Sequence, residues 1–338
     1  MMTTSTTATV SRGSGSPVVT CTLQRAASTG TVKAVPRAVS NGNGVHTATQ
    51  APVSIGSLVE DRVAYSPEQV FNCPEESLFY SQCLQKVLGG NLMATSPICN
   101  ESGPPIVVEF GAGDGSPVID ALLKVGKQFR GRVHGFELNP MAANLARQRC
   151  NMLGLNNVYK VHHSCFFKGA ESLKRDSAWL VANPPYIPAP DNKILMPELH
   201  GGVDGATLTN ELLGLGYPNA MLLVSSYSNP LGTLNHARSL GYIVSDFMVC
   251  PLQFGYYSSE PKVKNWIREM KTRGEAFFSE RRTTATSGDS DGTGSNATGW
   301  YLLAGVLFQK LPAHSAADLQ AARELDATDE LIRVLTAL

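Results

Sequence analysis

Three glycines at alternate positions follow a short apolar stretch of the chain. Gly111, Gly113 and Gly115 lie in the segment at 107–117, which reads VVEFGAGDGSP. Glycine at these points permits a tight turn between a strand and a helix, and it lets a ligand approach the backbone closely. A turn that binds nothing would use the same residues, so this motif by itself leaves both interpretations open.

A carboxylate follows at the end of the next apolar run. Glu137 stands 24 residues after Gly113. At the carboxyl edge of a parallel sheet, such a carboxylate can accept hydrogen bonds from both ribose hydroxyls of a nucleoside. A solvated glutamate at a strand end is the alternative. Together, the two motifs predict an adenosine-bearing ligand, which could be a nicotinamide cofactor or S-adenosylmethionine.

The segment Asn183-Pro184-Pro185-Tyr186 distinguishes between these two candidate ligands. Its prolines remove backbone donors, which leaves the Asn183 side-chain oxygen and the Pro184 carbonyl as acceptors. Two acceptors can hold the hydrogens of a planar NH2 group and turn its lone pair toward an electrophilic methyl. Tyr186 offers an aromatic face to a flat substrate. A dehydrogenase has no use for this loop, and the competing interpretation is a turn that only ends a strand.

Strands and helices alternate from residue 104 onward, as in a parallel sheet covered by helices. The predicted strands lie at 106–110, 132–138, 158–162, 178–182, 220–225, 242–249 and 300–308. The predicted helices lie at 117–129, 141–153, 208–215, 230–240 and 316–338, and an earlier helix begins at Ser66 and ends at Gly89-Gly90. The pattern predicts the α/β class with a doubly wound, mostly parallel sheet whose carboxyl edge holds the three motifs.

These motifs resemble those of class I S-adenosylmethionine-dependent methyltransferases with an Asn-Pro-Pro-Tyr signature, notably the protein-glutamine N5-methyltransferases that modify release factors. The resemblance covers about residues 104–250 and the strand at 300–309. It implies a Rossmann-like sheet of seven strands with the last strand antiparallel. It also implies S-adenosylmethionine as the cofactor, no metal, and direct displacement of the methyl by the target nitrogen without a covalent enzyme intermediate.

The resemblance further implies which residues form the site. The catalytic residues are expected to be Asn183, Pro184 and Tyr186. The cofactor-binding residues are expected to be Glu109, Gly111, Ala112, Gly113, Gly115, Glu137, Leu138, Ser164, Cys165 and Asn183. The family usually has an aspartate after the third strand that contacts the adenine amine. This chain has His163-Ser164-Cys165 there, so Ser164 is the expected substitute acceptor.

Other segments depart from the family or are ambiguous. The family's amino-terminal helical domain, which grips release factors, has only residues 66–103 to match it. The glycine-rich segment at 200–205 resembles the one that follows the signature, and it is either a loop near the substrate or a helix-capping turn. The aromatic insertion at 251–278 is either a substrate lid or an insertion that packs on the domain.

The predicted domain organisation has four parts. Residues 1–56 are a disordered segment, 57–103 a helical extension, 104–312 the methyltransferase domain and 313–338 a terminal helix. Within the methyltransferase domain, 251–299 contains the insertion and a polar, flexible loop. The oligomeric state is left open.

Charge is distributed unevenly along the chain. The 28 Lys and Arg residues balance 28 Asp and Glu residues, but no acidic residue precedes Glu60. The Ser/Thr-rich segment before it carries four bases, which is typical of an organelle transit peptide and favours the plastid stroma over a mitochondrion or the cytoplasm. The remainder is mildly acidic, which disfavours a general nucleic-acid binder. The seven scattered cysteines predict a reducing compartment and no structural zinc.

A protein side-chain amide is the expected methyl acceptor, because the body is acidic and the family's members methylate proteins. A nucleobase amine and a small molecule are the alternatives. A non-catalytic S-adenosylmethionine-binding protein is a further alternative, although such a protein would not need the Asn-Pro-Pro-Tyr loop. No apolar run is long enough for a membrane span.

Overall fold

A computed structural model describes most of the chain from residue 70 onward. The described residues are 22–23, 70–71, 73–90, 104–173, 178–281, 298–311 and 324–338. The helix start expected at Ser66 and residues 283–297 of the expected flexible loop lie outside them, as does all of the expected amino-terminal segment apart from Thr22–Leu23. The last two residues of that loop, 298 and 299, belong to a strand.

The described residues form a nine-stranded mixed sheet. Its strands are β1 (Thr22–Leu23), β2 (Ile106–Phe110), β3 (Arg132–Glu137), β4 (Tyr159–His163), β5 (Ala178–Ala182), β6 (Asn219–Ser225), β7 (Tyr242–Gln253), β8 (Ser279–Arg281) and β9 (Thr298–Lys310). The strand order is β1-β7-β9-β6-β5-β2-β3-β4, and β8 pairs with β9 outside this path.

Helices cover both faces of the sheet. They are α1 (Pro74–Gly89), α2 (Ser116–Val125), α3 (Pro140–Met152), α4 (Phe166–Gly169), α5 (Thr207–Gly214), α6 (Pro230–Ser239), α7 (Pro261–Thr272) and α8 (Thr328–Leu335). Single turns of 3-10 helix lie at Gly126–Gln128, Ala170–Ser172 and Pro197–Leu199. Among the described residues, no helix is long and apolar enough to cross a membrane.

The sheet confirms the predicted fold class. Strands β2 to β6 pair in parallel, whereas β9 lies between β6 and β7 and runs antiparallel to both. The order reverses at β2, with β3 on one side and β5 on the other, and ligands of open α/β sheets bind at such a switch point. The two short strands, β1 and β8, were not predicted.

Neighbouring side chains of a buried strand point to opposite faces of the sheet, so each face can pack against its own layer of helices. Val107 and Val108 are both fully buried, but they belong to separate hydrophobic clusters on opposite faces of the sheet. One cluster contains the apolar sides of α1, α2 and α3, and the other contains those of α4, α5, α6 and α8. A run of Val, Ile, Leu and Ala that is apolar on both sides is typical of a central parallel strand.

Helix α1, which lies in the predicted helical extension, packs against this core. A Cβ added at Gly305 of β9 would lie 2.3 Å from the sulfur of Cys83 in α1, so the helix packs directly on the sheet. Ser81 donates a hydrogen bond to Asp120 of α2 at 2.6 Å. Because Val70, Phe71 and Cys73 are not helical, the helix begins at Pro74, where proline and two glutamates occupy the first turn.

The predicted terminal helix at 316–338 is interrupted, and its residues 316–323 lie outside the described part of the chain. Asp326 and Ala327 are not helical, and the helix begins at Thr328. The Asp326 carboxylate accepts a hydrogen bond from the Thr328 backbone at 3.0 Å, and the Ala327 backbone pairs with the Val244 carbonyl at 2.9 Å. The local bond to Asp326 and the bond to Val244 of β7 replace helical hydrogen bonds, which apolar periodicity alone could not predict.

Candidate functional site

A cavity of about 310 Å³ opens at the carboxyl edge of the parallel strands. It extends from the turn after β2 and the end of β3 to the loops after β4 and β5, and the segments before α1 and after β7 complete its wall. Nine of the predicted site residues line it, namely Gly111, Gly113, Glu137, Leu138, Ser164, Cys165, Asn183, Pro184 and Tyr186. The strand topology therefore brings together motifs that lie up to 75 residues apart in sequence.

The glycine turn and the carboxylate of Glu137 form one hydrogen-bonded unit. One carboxylate oxygen accepts from the Gly113 backbone at 2.7 Å and the other accepts from the Asn139 backbone at 2.7 Å. Burial raises the pKa of Glu137, and its backbone hydrogen bonds oppose that rise. A carboxylate has about four lone-pair directions, so Glu137 can still accept a hydrogen bond from a ligand hydroxyl.

The three glycines of the turn have different roles. All have positive φ, at 67° for Gly111, 56° for Gly113 and 74° for Gly115, and glycine adopts such values without strain. Open space surrounds the Cβ positions of Gly111 and Gly113, which leaves room for a ligand. A Cβ at Gly115 would instead lie 2.9 Å from the Ala146 Cβ, so Gly115 allows α2 and α3 to pack closely.

Three residues expected to bind the cofactor lie outside the cavity lining, namely Glu109, Ala112 and Gly115. Glu109 is only 1% exposed, and its carboxyl group accepts hydrogen bonds from the hydroxyls of Tyr159 at 2.6 Å and Tyr80 at 3.3 Å. Burial raises its pKa to about 8. Glu109 thus belongs to the buried layer under α1.

An apolar pocket adjoins Glu137 in the cavity lining. Leu138, Cys165, Phe166 and Phe167 line it, and the rings of Phe136 and Phe166 pack edge to face at 5.6 Å. The backbone of Ser164 donates to the Glu137 carbonyl at 3.1 Å, which places the β4 loop beside the carboxylate. A planar, mostly apolar group joined to a diol fits this combination of an apolar pocket and a carboxylate.

The loop after β5 places Asn183, Pro184 and Tyr186 in the cavity lining, on the other side of β2 from the end of β3. The Asn183 side-chain oxygen is buried without a hydrogen-bond partner among the described residues. An unpaired buried acceptor is costly, so its presence in a cavity indicates a donor that arrives with a ligand. Tyr186 is buried, with its hydroxyl 3.2 Å from that of Tyr301 and its ring 5.8 Å from that of Tyr227.

Sequence reasoning missed Glu76, which lines the cavity from the first turn of α1. Its carboxylate accepts a hydrogen bond from the Tyr301 hydroxyl at 3.3 Å. Burial raises the pKa of Glu76, and the polar groups near it, among them Tyr186, Asn183 and Tyr301, oppose the rise. The only sequence signal was a pair of glutamates after Pro74, which reads as ordinary first-turn acidity.

The aromatic insertion both borders the cavity and packs on the domain. Tyr256 and Tyr257 line the cavity, and Tyr256 is 73% exposed. Helix α7 holds the loop that follows the Asn-Pro-Pro-Tyr segment, because Trp266 donates from its indole nitrogen to the Val203 carbonyl at 2.6 Å. Part of the insertion therefore packs on the domain, and its role as a substrate lid stays a prediction.

The glycine-rich segment at 200–205 is a loop against the signature, and not only a helix cap. The backbone of Ile187 pairs with the Leu199 carbonyl at 3.0 Å, and the backbone of Gly201 pairs with the Ile187 carbonyl at 2.9 Å. A Cβ at Gly201 would lie 2.6 Å from the Tyr186 Cα. His200 lines the cavity, and its ring nitrogen lies 3.1 Å from the Ala189 carbonyl.

No protein-family model matches the chain, and no curated protein matches its sequence. Solved structures of several methyltransferases are similar. A SAM-dependent O-methyltransferase from Thermotoga maritima is 11% identical at a TM-score of 0.35, over 78% of this chain and 73% of that one. A precorrin-6y C5,15-methyltransferase from Geobacter metallireducens is 10% identical at a TM-score of 0.35, over 70% and 92%.

A third similar structure contains ligands. The geranyl diphosphate C-methyltransferase from Streptomyces coelicolor, in complex with S-adenosyl-L-homocysteine, is 10% identical at a TM-score of 0.36, over 70% of this chain and 78% of that one. TM-scores of this size do not establish a common fold or function. The fold is therefore assigned from the strand order, and the function is inferred from the geometry of the cavity.

Proposed function

We propose that this protein is an S-adenosylmethionine-dependent N-methyltransferase, which transfers a methyl group to a planar amide or amine nitrogen, with a protein side-chain amide as the acceptor. The observation that carries the proposal is a single cavity lined both by the carboxylate of Glu137, after β3, and by the unpaired oxygen of Asn183, after β5. A site that bound only a nucleoside would not need the unpaired acceptor oxygen of Asn183.

The cofactor end of the cavity fits S-adenosylmethionine. Glu137 would accept hydrogen bonds from the ribose hydroxyls, and Leu138 and Cys165 would contact the adenine. The open space over Gly111 and Gly113 would take the part of the cofactor nearest the backbone. When bound, S-adenosylmethionine supplies an electrophilic methyl group on a sulfonium sulfur.

The Asn183 end of the cavity fits the nitrogen that accepts the methyl. The Asn183 oxygen and the Pro184 carbonyl would accept its two hydrogens, which holds the nitrogen in place and favours a lone pair that is free to react. Tyr186 lines the cavity beside them, and its buried ring would limit the positions that a flat group can take. The proton released after transfer can pass to water.

A nucleobase amine is the second candidate acceptor. The observation in its favour is Tyr256, which lines the cavity and is 73% exposed, since an exposed aromatic ring can stack on an unpaired base. The mildly acidic composition after Glu60 and the resemblance to protein-glutamine methyltransferases favour the protein amide.

Calorimetry on the full chain tests the cofactor. We expect saturable binding of S-adenosylmethionine and none of NAD. Glu137→Ala should weaken the affinity about tenfold or more, because it removes hydrogen bonds to a charged acceptor. Asn183→Ala should largely preserve it. Glu171→Ala, which removes an exposed carboxylate outside the cavity lining, is the control. Binding of NAD in place of S-adenosylmethionine would sink the proposal.

Transfer of a labelled methyl group tests the acceptor. The protein is incubated with a cell extract and S-adenosylmethionine labelled in the methyl group, and the product is treated with protease or with nuclease. Label released by protease supports a protein acceptor, and label released by nuclease supports a nucleobase. Cofactor binding without any transfer, and without an effect of Asn183→Ala, would favour a non-catalytic binding protein.

A further inference from the structure

The cavity is lined by acidic side chains without basic ones to balance them. Among the described residues, Glu76, Glu137 and Glu198 belong to the lining, and no lysine or arginine does. The histidine of the lining, His200, has a ring nitrogen 3.1 Å from the Ala189 carbonyl. Carboxylates that share a cavity repel one another, and a cation that enters it relieves this repulsion. The lining therefore favours a positively charged ligand over an anionic one.

Glu198 differs from the other two glutamates in its hydrogen bonds. Glu137 accepts two backbone N–H groups, and Glu76 accepts the hydroxyl of Tyr301. One carboxylate oxygen of Glu198, Oε2, is buried and has no hydrogen-bond partner among the described residues. A buried carboxylate oxygen without a donor is costly, so its place in a cavity indicates a donor that arrives with a ligand.

Three aromatic side chains, here called the aromatic trio, line the same cavity. They are Phe71, Tyr256 and Tyr257. The ring centroid of Tyr257 lies 5.4 Å from that of Tyr256 and 6.5 Å from that of Phe71. Tyr256 is 73% exposed, so much of its ring is open to solvent. The face of an aromatic ring attracts a lysine ammonium or an arginine guanidinium group, and a carboxylate pairs with the same groups.

A hydrogen bond ties the segment of Glu198 to the segment of the two tyrosines. The backbone N–H of Leu195 donates to the carboxylate of Glu260 at 2.8 Å. Glu198 follows Leu195 by three residues, and Tyr257 precedes Glu260 by three. The backbone N–H of Glu260 also donates to the Tyr257 carbonyl at 3.3 Å. The turn that carries Glu198 and the loop that carries the tyrosines therefore border the cavity from adjoining segments.

A lysine near this junction is already engaged. Lys262, two residues after Glu260, forms an ion pair with Asp191 and donates a hydrogen bond to the Lys193 carbonyl at 2.9 Å. None of these three residues belongs to the cavity lining. The ion pair of Lys262 thus leaves the carboxylate of Glu198 available to a cation from outside the chain.

We propose that Glu198 and the aromatic trio form a cation subsite, which takes a lysine or arginine side chain of the methyl acceptor. This proposal rests on the proposed function and deepens it, because it defines the acceptor as a basic protein segment. The methylated amide would lie close in sequence to the cationic side chain. A nucleic-acid strand would instead bring phosphates to a cavity lined by carboxyl groups, which is unfavourable.

Peptide binding tests the subsite without any methyl transfer. The full chain is titrated with short dye-labelled peptides, and fluorescence anisotropy gives the affinity. Each peptide has one glutamine, flanked by lysine, by norleucine or by glutamate. We expect the lysine peptide to bind about tenfold more tightly than the norleucine peptide, and the glutamate peptide to bind most weakly. Added salt should reduce this preference, because part of the attraction is ionic.

Substitutions show whether this preference arises in the subsite. Glu198→Gln keeps the size of the side chain but removes its charge, and it should reduce the preference for lysine to about threefold or less. Tyr256→Phe keeps an aromatic face and should preserve the preference, whereas Tyr256→Leu should reduce it. Glu171→Gln, which removes an exposed carboxylate outside the lining, is the matched control and should change nothing.

Three results would overturn the proposal. They are a wild type that shows no preference for the lysine peptide, a preference that persists in full in Glu198→Gln, and tighter binding of a short single-stranded RNA than of the lysine peptide. Weaker binding of S-adenosylmethionine by Glu198→Gln, with an unchanged peptide preference, is a form of the second result and would assign Glu198 to the cofactor. Failure of the proposed function is distinguishable, because a wild type that does not bind S-adenosylmethionine can still prefer the lysine peptide.

Discussion

The backbone N–H of Gly113 donates a hydrogen bond to the carboxylate of Glu137 at 2.7 Å. This bond joins the turn after β2 to the end of β3, and the second carboxylate oxygen is held by the backbone of Asn139 at 2.7 Å. The two sequence motifs therefore act as one element. Any change at Glu137 should affect the conformation of the turn as well as the affinity for a ligand.

Glu137→Gln should destabilise the protein by about 1–3 kcal/mol. Both carboxylate oxygens accept backbone N–H groups, and glutamine can present an oxygen to only one of them, so its NH2 group would face the other donor. The measurement is urea unfolding at pH 7, beside Glu171→Gln as the exposed control. A variant as stable as the wild type would show that the two bonds do not hold the turn.

Alanine substitution should distinguish Gly111, which lines the cavity, from Gly154, which is not part of the lining. Gly111→Ala should cost about 1 kcal/mol because of its positive φ, the same as Gly154→Ala, which also has open space around its Cβ. Only Gly111→Ala should weaken the binding of S-adenosylmethionine. The measurements are urea unfolding and calorimetry.

Gly115→Ala should cost more than either, by about 2 kcal/mol or more. It has the same backbone strain, and its Cβ would also lie 2.9 Å from the Cβ of Ala146. Its effect on stability should exceed that of Gly111→Ala in urea unfolding. Equal losses in the two variants would mean that α2 and α3 adjust to the added methyl group.

The sequence was sufficient for the fold and for the motifs that local pattern defines. Strand β5 runs from Ala178 to Ala182, as predicted, because a short run with apolar residues on both sides has few other interpretations. Gly113 and Glu137 could be placed together because adjacent parallel strands end at one edge. Such inferences need only the order of the strands and the spacing of apolar residues along the chain.

The remaining features depend on packing. Glu109 was expected to bind the cofactor, but it shares a sheet face with Val107, two residues earlier, and that face packs against the α1 layer. Glu76 was missed because it precedes Asn183 by more than 100 residues and reaches the same cavity only through the packing of α1 on β9. No local pattern contains that information.

Glu109→Gln should reduce the pH dependence of stability. The pKa of Glu109 is raised to about 8 in the folded protein, against 4.5 as its ordinary value. The folded state holds this proton between those values, so the stability that it contributes is complete below about pH 4.5 and is lost as the pH rises toward 8. The loss reaches about 1.4 kcal/mol per pH unit in this interval.

Glutamine cannot ionise, so the variant should lack this contribution to the slope. The measurement is the free energy of unfolding in urea at several values between pH 5 and pH 8.5. Glu171→Gln, which removes an exposed carboxylate, should keep the wild-type slope. Parallel curves for Glu109→Gln and the wild type would show that Glu109 is ionised in the folded protein.

Trp266→Phe should loosen the loop that follows the Asn-Pro-Pro-Tyr segment without unfolding the domain. The change keeps an aromatic ring in α7 but removes the hydrogen bond from the indole nitrogen to the Val203 carbonyl. Hydrogen–deuterium exchange should therefore become faster at 199–205 and stay unchanged in the buried strand β5. Arg268→Gln, which breaks an ion pair between α7 and Glu280, is the matched control and should not change exchange in this loop. Unchanged exchange at 199–205 in Trp266→Phe would show that the loop is held by its own backbone pairs with Ile187.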